Sequence, residues 1–295
     1  MTRASTVFIN PTHLPTDPCA LRVPQLFFKN FSKNYCRPSY GARSSYMHVT
    51  IVAASPQPQF SKSASLFCST QPSKEVLEIW RNADAVCFDV DSTVCLHEGI
   101  DELADFCGAG KAVSEWTNKA MSGSVPFEDA LAARLSLFCP SLSQLHDFLD
   151  KRPPRLSPGI AELINKLKAS NTHVYLISGG FRQMIEPVAL KLGIPPDDIF
   201  ANRLRFGSAG EFIGFDTTEF TSRSGGKAVA VQHIRKVHGH KSLIMIGDGA
   251  TDLEARLQGG ADLFICYGGV LLREAVAAKS DWVILSFDDL STALD

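Results

Sequence analysis

Five short apolar runs are the strongest constraint on what this 295-residue chain can fold into: DAVCF (84–88), HVYLIS (173–178), SLIMIG (242–247), DLFICY (262–267) and DWVIL (281–285). They are too short for buried helices and do not alternate with polar residues. That is the pattern of strands covered by helices on both faces of a parallel sheet. The segments between them have helical spacing. GIAELINKLKAS (159–170) places Ile160, Leu163, Ile164 and Leu167 on one face, and GGKAVAVQHIRKVHG (225–239) spaces Val229, Val231, Ile234 and Val237 less regularly. This alternation predicts a doubly wound, Rossmann-like α/β core. FANRLRF and EFIGFD, on either side of GSAG (207–210), predict a β-hairpin.

One stretch breaks the alternation. Between 99 and 157, GIDELADFCG, KAVSEWTNKAM, PFEDALAARLSLF and SLSQLHDFLD read as four helices with no strand. The expected organisation is a core domain of 74–98 and 158–295, with a helical cap of 99–157 inserted after the first core strand.

The first 73 residues are chemically different. They hold seven bases and one acid, Asp17, leaving 22 bases against 30 acids beyond them, a formal charge of −8. Residues 1–54 are rich in hydroxyls and proline and lack a secretory apolar core, as an organelle transit peptide would. Pro11 and Pro15 weigh against a long amphipathic presequence helix. IVAA (51–54) is similar to a chloroplast processing site, and residues 55–73 read as a linker. The predicted location is the plastid stroma. No apolar run approaches the roughly 20 residues of a membrane span. The net charge of −2 gives no footprint for nucleic acid. None of the eight cysteines forms a Cys-x-x-Cys pair, and Cys87 and Cys266 lie in apolar runs, so they read as small core residues of a reduced protein.

Open α/β sheets bind ligands at the carboxyl ends of their strands. There the sequence places Asp89-Val90-Asp91-Ser92-Thr93, Ser178-Gly179-Gly180 and Gly247-Asp248-Gly249-Ala250-Thr251-Asp252, with Lys227 opening a helix behind Gly225-Gly226. Clustered carboxylates are costly unless a cation offsets them. An all-oxygen set suits Mg²⁺ with a substrate phosphate. Ser178, the glycine amides and Lys227 supply donors for phosphoryl oxygens. Strand alternation should put Asp89 and Asp91 on one face.

DVDST, SGG, Lys227 and GDGATD together resemble, in order and spacing, the four motifs of the haloacid dehalogenase-like phosphatases. DAVCFDVDSTV, EGIDELA, SGGFR, FANRL, SGGK and IGDGATD are similar to the members that hydrolyse O-phospho-L-serine. The resemblance covers about residues 75–295. It implies that Asp89 is the nucleophile and Asp91 the acid and then the base. It implies a Mg²⁺ site made by Asp89, the Asp91 carbonyl and Asp248. Ser178, Gly179, Gly180 and Lys227 would hold the phosphate, with Thr251 and Asp252 in support. From the cap, Glu98 would meet the substrate ammonium and Arg134 its carboxylate, with Met121 and Phe127 as walls. Position 122 is Ser where the resemblance leads one to expect Gly. The implied partner is a small molecule, with neither nucleic acid nor membrane, and a homodimer is left open.

Blander readings compete with each feature. Two aspartates can be a solvated turn, and SGG an ordinary strand-to-helix turn. GDGATD lacks the third glycine of a dinucleotide fingerprint, and SGGKA lacks the Ser or Thr of a P-loop. Arg134 can be a solvated helix residue, Glu98 a helix N-terminal acid, and Met121 and Phe127 core. The eight histidines are scattered, and none lies by a motif. Two other functions stay open: a same-fold enzyme for another phosphomonoester or a phosphotransfer, and a receiver-type domain phosphorylated on Asp89 without turnover.

Overall fold

The computed structural model describes residues 69–121, 125–257 and 260–295, the side chains of 118–121 and 257 excepted. The leader 1–54, residues 55–68 of the linker, Ser122 and the side chain of Met121 lie outside the described residues.

Helix α1 (Lys74–Arg81) precedes strand β1 (Ala85–Phe88). Four helices follow without a strand: α2 (Gly99–Phe106), α3 (Gly110–Met121), α4 (Phe127–Ser136) and α5 (Leu142–Lys151). Alternation then resumes with α6 (Ile160–Ala169), β2 (His173–Phe181), α7 (Arg182–Lys191) and β3 (Ile199–Asn202). Strands β4 (Leu204–Phe206) and β5 (Phe212–Phe215) come next, then α8 (Gly226–His238), β6 (Leu243–Gly247) and α9 (Ala250–Leu257). The chain ends with β7 (Leu263–Tyr267), α10 (Glu274–Ala277), β8 (Trp282–Ile284) and α11 (Phe287–Leu294).

Six strands form one parallel sheet in the order β3-β2-β1-β6-β7-β8. The chain moves outward from β1 to β3, then crosses back to lay β6 on the other side of β1. The reversal between β1 and β6 opens a crevice at their carboxyl ends.

The pleat sorts side chains between two cores. Val86 and Phe88 join Val174, Leu176, Ile244 and Ile246 under α6 and α11. Ala85 and Cys87 join Tyr175, Ile177, Leu243 and Met245 under α8. Both faces of the sheet are therefore apolar, which explains the unalternating runs. Truncating one such residue, Ile246→Ala, should cost about 2–5 kcal/mol. Cys87 and Cys266 are buried and free, as their apolar setting predicts. The inserted helices build a third cluster from Leu103, Val113, Leu131, Leu135, Leu145 and Phe148, which meets the core at Phe181 and Leu204.

Three details differ from the sequence reading. The predicted hairpin is shorter: only β4 and β5 pair antiparallel, while residues 199–202 form β3 at the edge of the main sheet. This strand is four residues long and runs almost directly into the hairpin, so no turn signal separates them. On α8, Val229 and Val237 are exposed, and the buried face is Ala228, Ala230, Val231 and Ile234. Small residues face the sheet there, where the helix packs close. The last part of the expected linker is tied to β8: Thr70 N donates to Val283 O at 2.9 Å and Trp282 Nε1 to Thr70 O at 2.9 Å. Among the described residues, no helix is long and apolar enough to cross a membrane.

Candidate active site

Asp89 extends β1 by one residue, its amide donating to Ile246 O at 2.8 Å. The chain then leaves the sheet in a π turn closed by Cys95 N to Val90 O at 2.8 Å, with Ser92 left-handed at φ 55°. Asp89 and Asp91 are thus brought together by this turn and not by the strand pleat expected from their spacing. They have different partners. Asp89 Oδ1 accepts from Lys227 Nζ at 2.6 Å. Asp91 Oδ1 accepts from Gly99 N at 2.6 Å, and its Oδ2 accepts from Ser178 Oγ at 3.2 Å.

Lys227 is placed by the loop before α8. Gly225 is left-handed at φ 72°, and a Cβ on Gly226 would lie 2.1 Å from Phe220 O. Both positions therefore require glycine, and together they set Lys227 in the first turn with its amine buried. It also donates to Asp252 Oδ1 at 2.7 Å, while Gly249 N donates to Asp252 Oδ2 at 2.9 Å. Asp248 pairs with Arg273, the residue before α10. Thr251 is half-buried beside Asp252 in the first turn of α9.

At the end of β2, Gly180 N donates to Ser178 Oγ at 2.8 Å. Asn202 Nδ2 donates to Gly179 O at 2.8 Å and is itself held by Thr221 Oγ1 at 3.1 Å. A Cβ on Gly180 would come within 2.8 Å of Asp91 Oδ2, and one on Gly179 within 2.9 Å of the Phe127 ring. The two glycines let a carboxylate and an aromatic ring close on the loop.

Negative charge dominates the cluster. Asp89, Asp248 and Asp252 are buried, and one carboxylate oxygen from each lies within 4.8 Å of the others. Burial first, then Asp252, pushes the Asp89 carboxyl well above its usual range, against the pull of Lys227. Burial and then Asp252 raise Asp248 to about 6, against Arg273. Burial would lower Lys227, but Asp252 and Asp89 outweigh it and keep the amine protonated. One ammonium does not neutralise these acids. The unbalanced oxygen donors fit a small, hard cation. Both oxygens of Asp252 are already engaged by Lys227 and Gly249, so Asp252 braces the lysine, and Asp89 and Asp248 offer more to a metal.

The cap residues divide. Arg134 is 6% exposed on α4, so the solvated reading fails. Its Nη1 donates to Thr117 Oγ1 at 3.3 Å, and Thr117 donates to Asp101 Oδ1 at 2.7 Å. Burial lowers its pKa, opposed by Asp101, Glu98 and Asp91, so three carboxylates act on it. Glu98 is the N-cap residue of α2 but makes no side-chain capping bond. Its carboxylate accepts from Ser92 Oγ at 2.9 Å, and burial, then Asp91, raises it to about 7. Phe127 stacks over Gly179, where the Phe127 amide donates to Ser224 Oγ at 3.1 Å and Glu128 accepts from Ser224 Oγ at 3.0 Å. The start of α4 is thereby latched to the loop before α8.

Asn202, Thr117, Asp101, Ser224 and Arg273 were not assigned roles from sequence. Only Asn202 had a usable signal, because it ends a strand of the main sheet; that signal was hidden while β3 was taken for part of the hairpin.

A buried carboxylate at a strand end, a second carboxylate on a serine hydroxyl, and a lysine clamped between acids define a class. The chain belongs to the haloacid dehalogenase-like hydrolases, whose family model matches residues 83–260. More particularly, it is 64% identical over 273 residues to the chloroplastic phosphoserine phosphatase of Arabidopsis thaliana, covering 91% of this chain and 92% of that one. It is 50% identical over 221 residues to the phosphoserine phosphatase of Rattus norvegicus, covering 75% and 97%. A phospho-aspartyl intermediate analogue of phosphoserine phosphatase superposes with TM-score 0.63 at 27% identity, covering 72% of this chain and 99% of that structure.

Proposed function

We infer that the protein hydrolyses O-phospho-L-serine to L-serine and phosphate through a covalent aspartyl-phosphate. The carrying observation is the pair of aspartates with separated partners: Asp89 on Lys227 at 2.6 Å, Asp91 on Ser178 and Gly99. Asp89 Oδ attacks phosphorus, forming one P–O bond as the ester P–O bond breaks. Asp91 gives its proton to the departing serine oxygen. It then takes a proton from the water that attacks the aspartyl-phosphate, releasing phosphate and restoring the Asp89 carboxylate. Ser178, the amides of Gly179 and Gly180, and Lys227 bind the phosphoryl oxygens, with Asp252 and Thr251 in support. Mg²⁺, when bound by Asp89, the Asp91 carbonyl and Asp248, supplies positive charge for the phosphoryl group.

Glu98 would face the substrate ammonium and Arg134 its carboxylate, with Phe127 and Met121 as walls. The burial of Arg134 and the half-burial of Glu98 and Phe127 support this reading. The product is serine, so the reaction completes serine synthesis by the phosphorylated route. The base-rich, acid-poor leader and the chloroplastic relative, aligned over more residues than the structure describes, support a plastid location after removal of residues 1–54.

The test is phosphate release from phosphoserine against phosphothreonine, phosphoethanolamine and sugar phosphates, with and without Mg²⁺. Phosphoserine should have the highest kcat/KM. Preference for another ester would overturn the substrate, and turnover unaffected by chelation would overturn the metal.

A further inference from the structure

Three histidines, one of them about 65 positions from the other two, meet at the amino end of the sheet. His173 begins β2, His238 ends α8, and His240 follows in the turn to β6. Their ring centroids are 6.0 Å (173–238), 5.9 Å (173–240) and 5.6 Å (238–240) apart, a nearly equilateral triangle. The ring of Tyr175, fully buried, forms the floor, 4.6, 5.7 and 5.8 Å from the three. His173 and His238 are exposed and His240 is half-buried, so the side facing away from Tyr175 is open to water.

We propose that His173, His238 and His240 form a binding site for a divalent transition ion of the Zn²⁺ type, separate from the carboxylate cluster at the other end of the strands. A metal–imidazole bond of about 2.0–2.1 Å puts each ring centre about 3.2 Å from the ion. A point equidistant from the three observed centroids is about 3.4 Å from each, so the ring centres already stand where such an ion needs them. The ring nitrogens do not yet converge on that point, since the donor atoms of the three rings do not all lie within 4.8 Å of one another. Rotation about the Cβ–Cγ bonds turns a nitrogen inward while leaving the ring centres nearly in place.

Two of the rings also have the outer partners that metal-bound histidines use. His173 Nε2 lies 3.0 Å from the buried Asp198 Oδ2, and His240 Nε2 lies 3.0 Å from Tyr175 Oη. With Nε2–H donating to each partner, Nδ1 of both rings keeps its lone pair for the ion, and the carboxylate–histidine pair increases ligand basicity. The described contacts of His238 are ring contacts, so it is the ring freest to turn. A cation here also lies at the carboxyl end of α8, where the helix dipole favours positive charge. Imidazole donors select Zn²⁺, Cu²⁺ or Ni²⁺ over Mg²⁺, so the two ends of the sheet differ in the ions they take.

The experiment is a calorimetric titration of the untagged full-length protein with Zn²⁺, after chelator treatment and saturation with excess Mg²⁺. The wild type and Asp248→Asn should each bind Zn²⁺ at this site, and Tm should rise with Zn²⁺. His238→Ala, an exposed substitution that leaves the core intact, should weaken binding at least about tenfold, and Asp198→Asn about 10- to 100-fold. The proposal is overturned if the wild type binds no Zn²⁺ under these conditions. It is equally overturned if His238→Ala binds as the wild type does, or if Asp248→Asn alone abolishes binding.

Discussion

The carboxyl ends of β1, β2 and β6 and the inner side of helices α2, α3 and α4 both hold more carboxylates than cations, but they hold them around different cations. At the strand ends, buried Asp89, Asp248 and Asp252 surround Lys227, with Asp91 alongside and Arg273 on Asp248. In the cap, one buried guanidinium, Arg134, is held by Thr117 and sits among Asp101, Glu98 and Asp91. The first cluster has more carboxylates than cations, an oxygen-donor set that suits a metal ion. The second sets three carboxylates around one guanidinium, which donates to the neutral hydroxyl of Thr117. On the proposed roles, catalysis and substrate choice would come from different parts of the chain, linked by Asp91, whose carboxylate bonds to both Ser178 and the first residue of α2.

That division sets an order of effects. Asp89→Asn should lower kcat on the order of 10⁴-fold or more, with the circular-dichroism spectrum and Tm preserved because a crowded charge is removed. Asp91→Asn should lower kcat about 10²- to 10⁴-fold and let aspartyl-phosphate accumulate in rapid-quench samples, since general acid–base help of this kind is worth that much. A receiver domain would lose little by it, so normal turnover would collapse the distinction between the two aspartates.

Arg134→Lys should raise KM for phosphoserine about 10- to 100-fold, the worth of a charge-assisted hydrogen bond or two. It should leave phosphoethanolamine, which has no carboxylate, almost unaffected. An equal loss on both substrates would show that the cap does more than select.

Glu98 gives a smaller effect on stability. Its folded pKa, about 7, lies above the ordinary 4.5. Between these values the folded state binds more protons than the unfolded state, so ligand-free stability falls as pH rises from about 4.5 to 7. Glu98→Gln should remove this loss and raise stability at pH 8 by on the order of 1–3 kcal/mol, while weakening phosphoserine binding. Denaturant titrations at pH 5 and pH 8 measure it. The smallest effect is expected from a chain beginning at Ser55, which should keep full activity. Extending the deletion through Thr70 should lower Tm by removing the hydrogen bonds to β8.

Much of the fold was legible because parallel strands buried on both faces need continuous apolar runs, and all five runs became strands of the main sheet. The β3 strand was not, because four residues between a turn and a hairpin carry no separate period. The candidate site was legible where chemistry sits at a strand end, as for Asp89, Ser178 and Asp248, or in the first turn of a helix, as for Lys227. It was not legible for Thr117, Asp101 and Ser224, whose polar side chains become distinctive only when a neighbour buries them.

By itself the sequence determined the strand–helix alternation, the helical insertion, the acids and glycines at the strand ends and the lysine at a helix start, all of which follow from local periodicity and short-range spacing. Tertiary structure alone decided that β6 crosses back beside β1, so that Lys227 reaches both Asp89 and Asp252. It also decided that Arg134 is buried and that the three scattered histidines share one corner. Apart from the His238–His240 pair, these are contacts across 25 to 158 positions or, for Arg134, a choice of helix face, and they depend on strand order and helix rotation, which no local pattern of residues encodes.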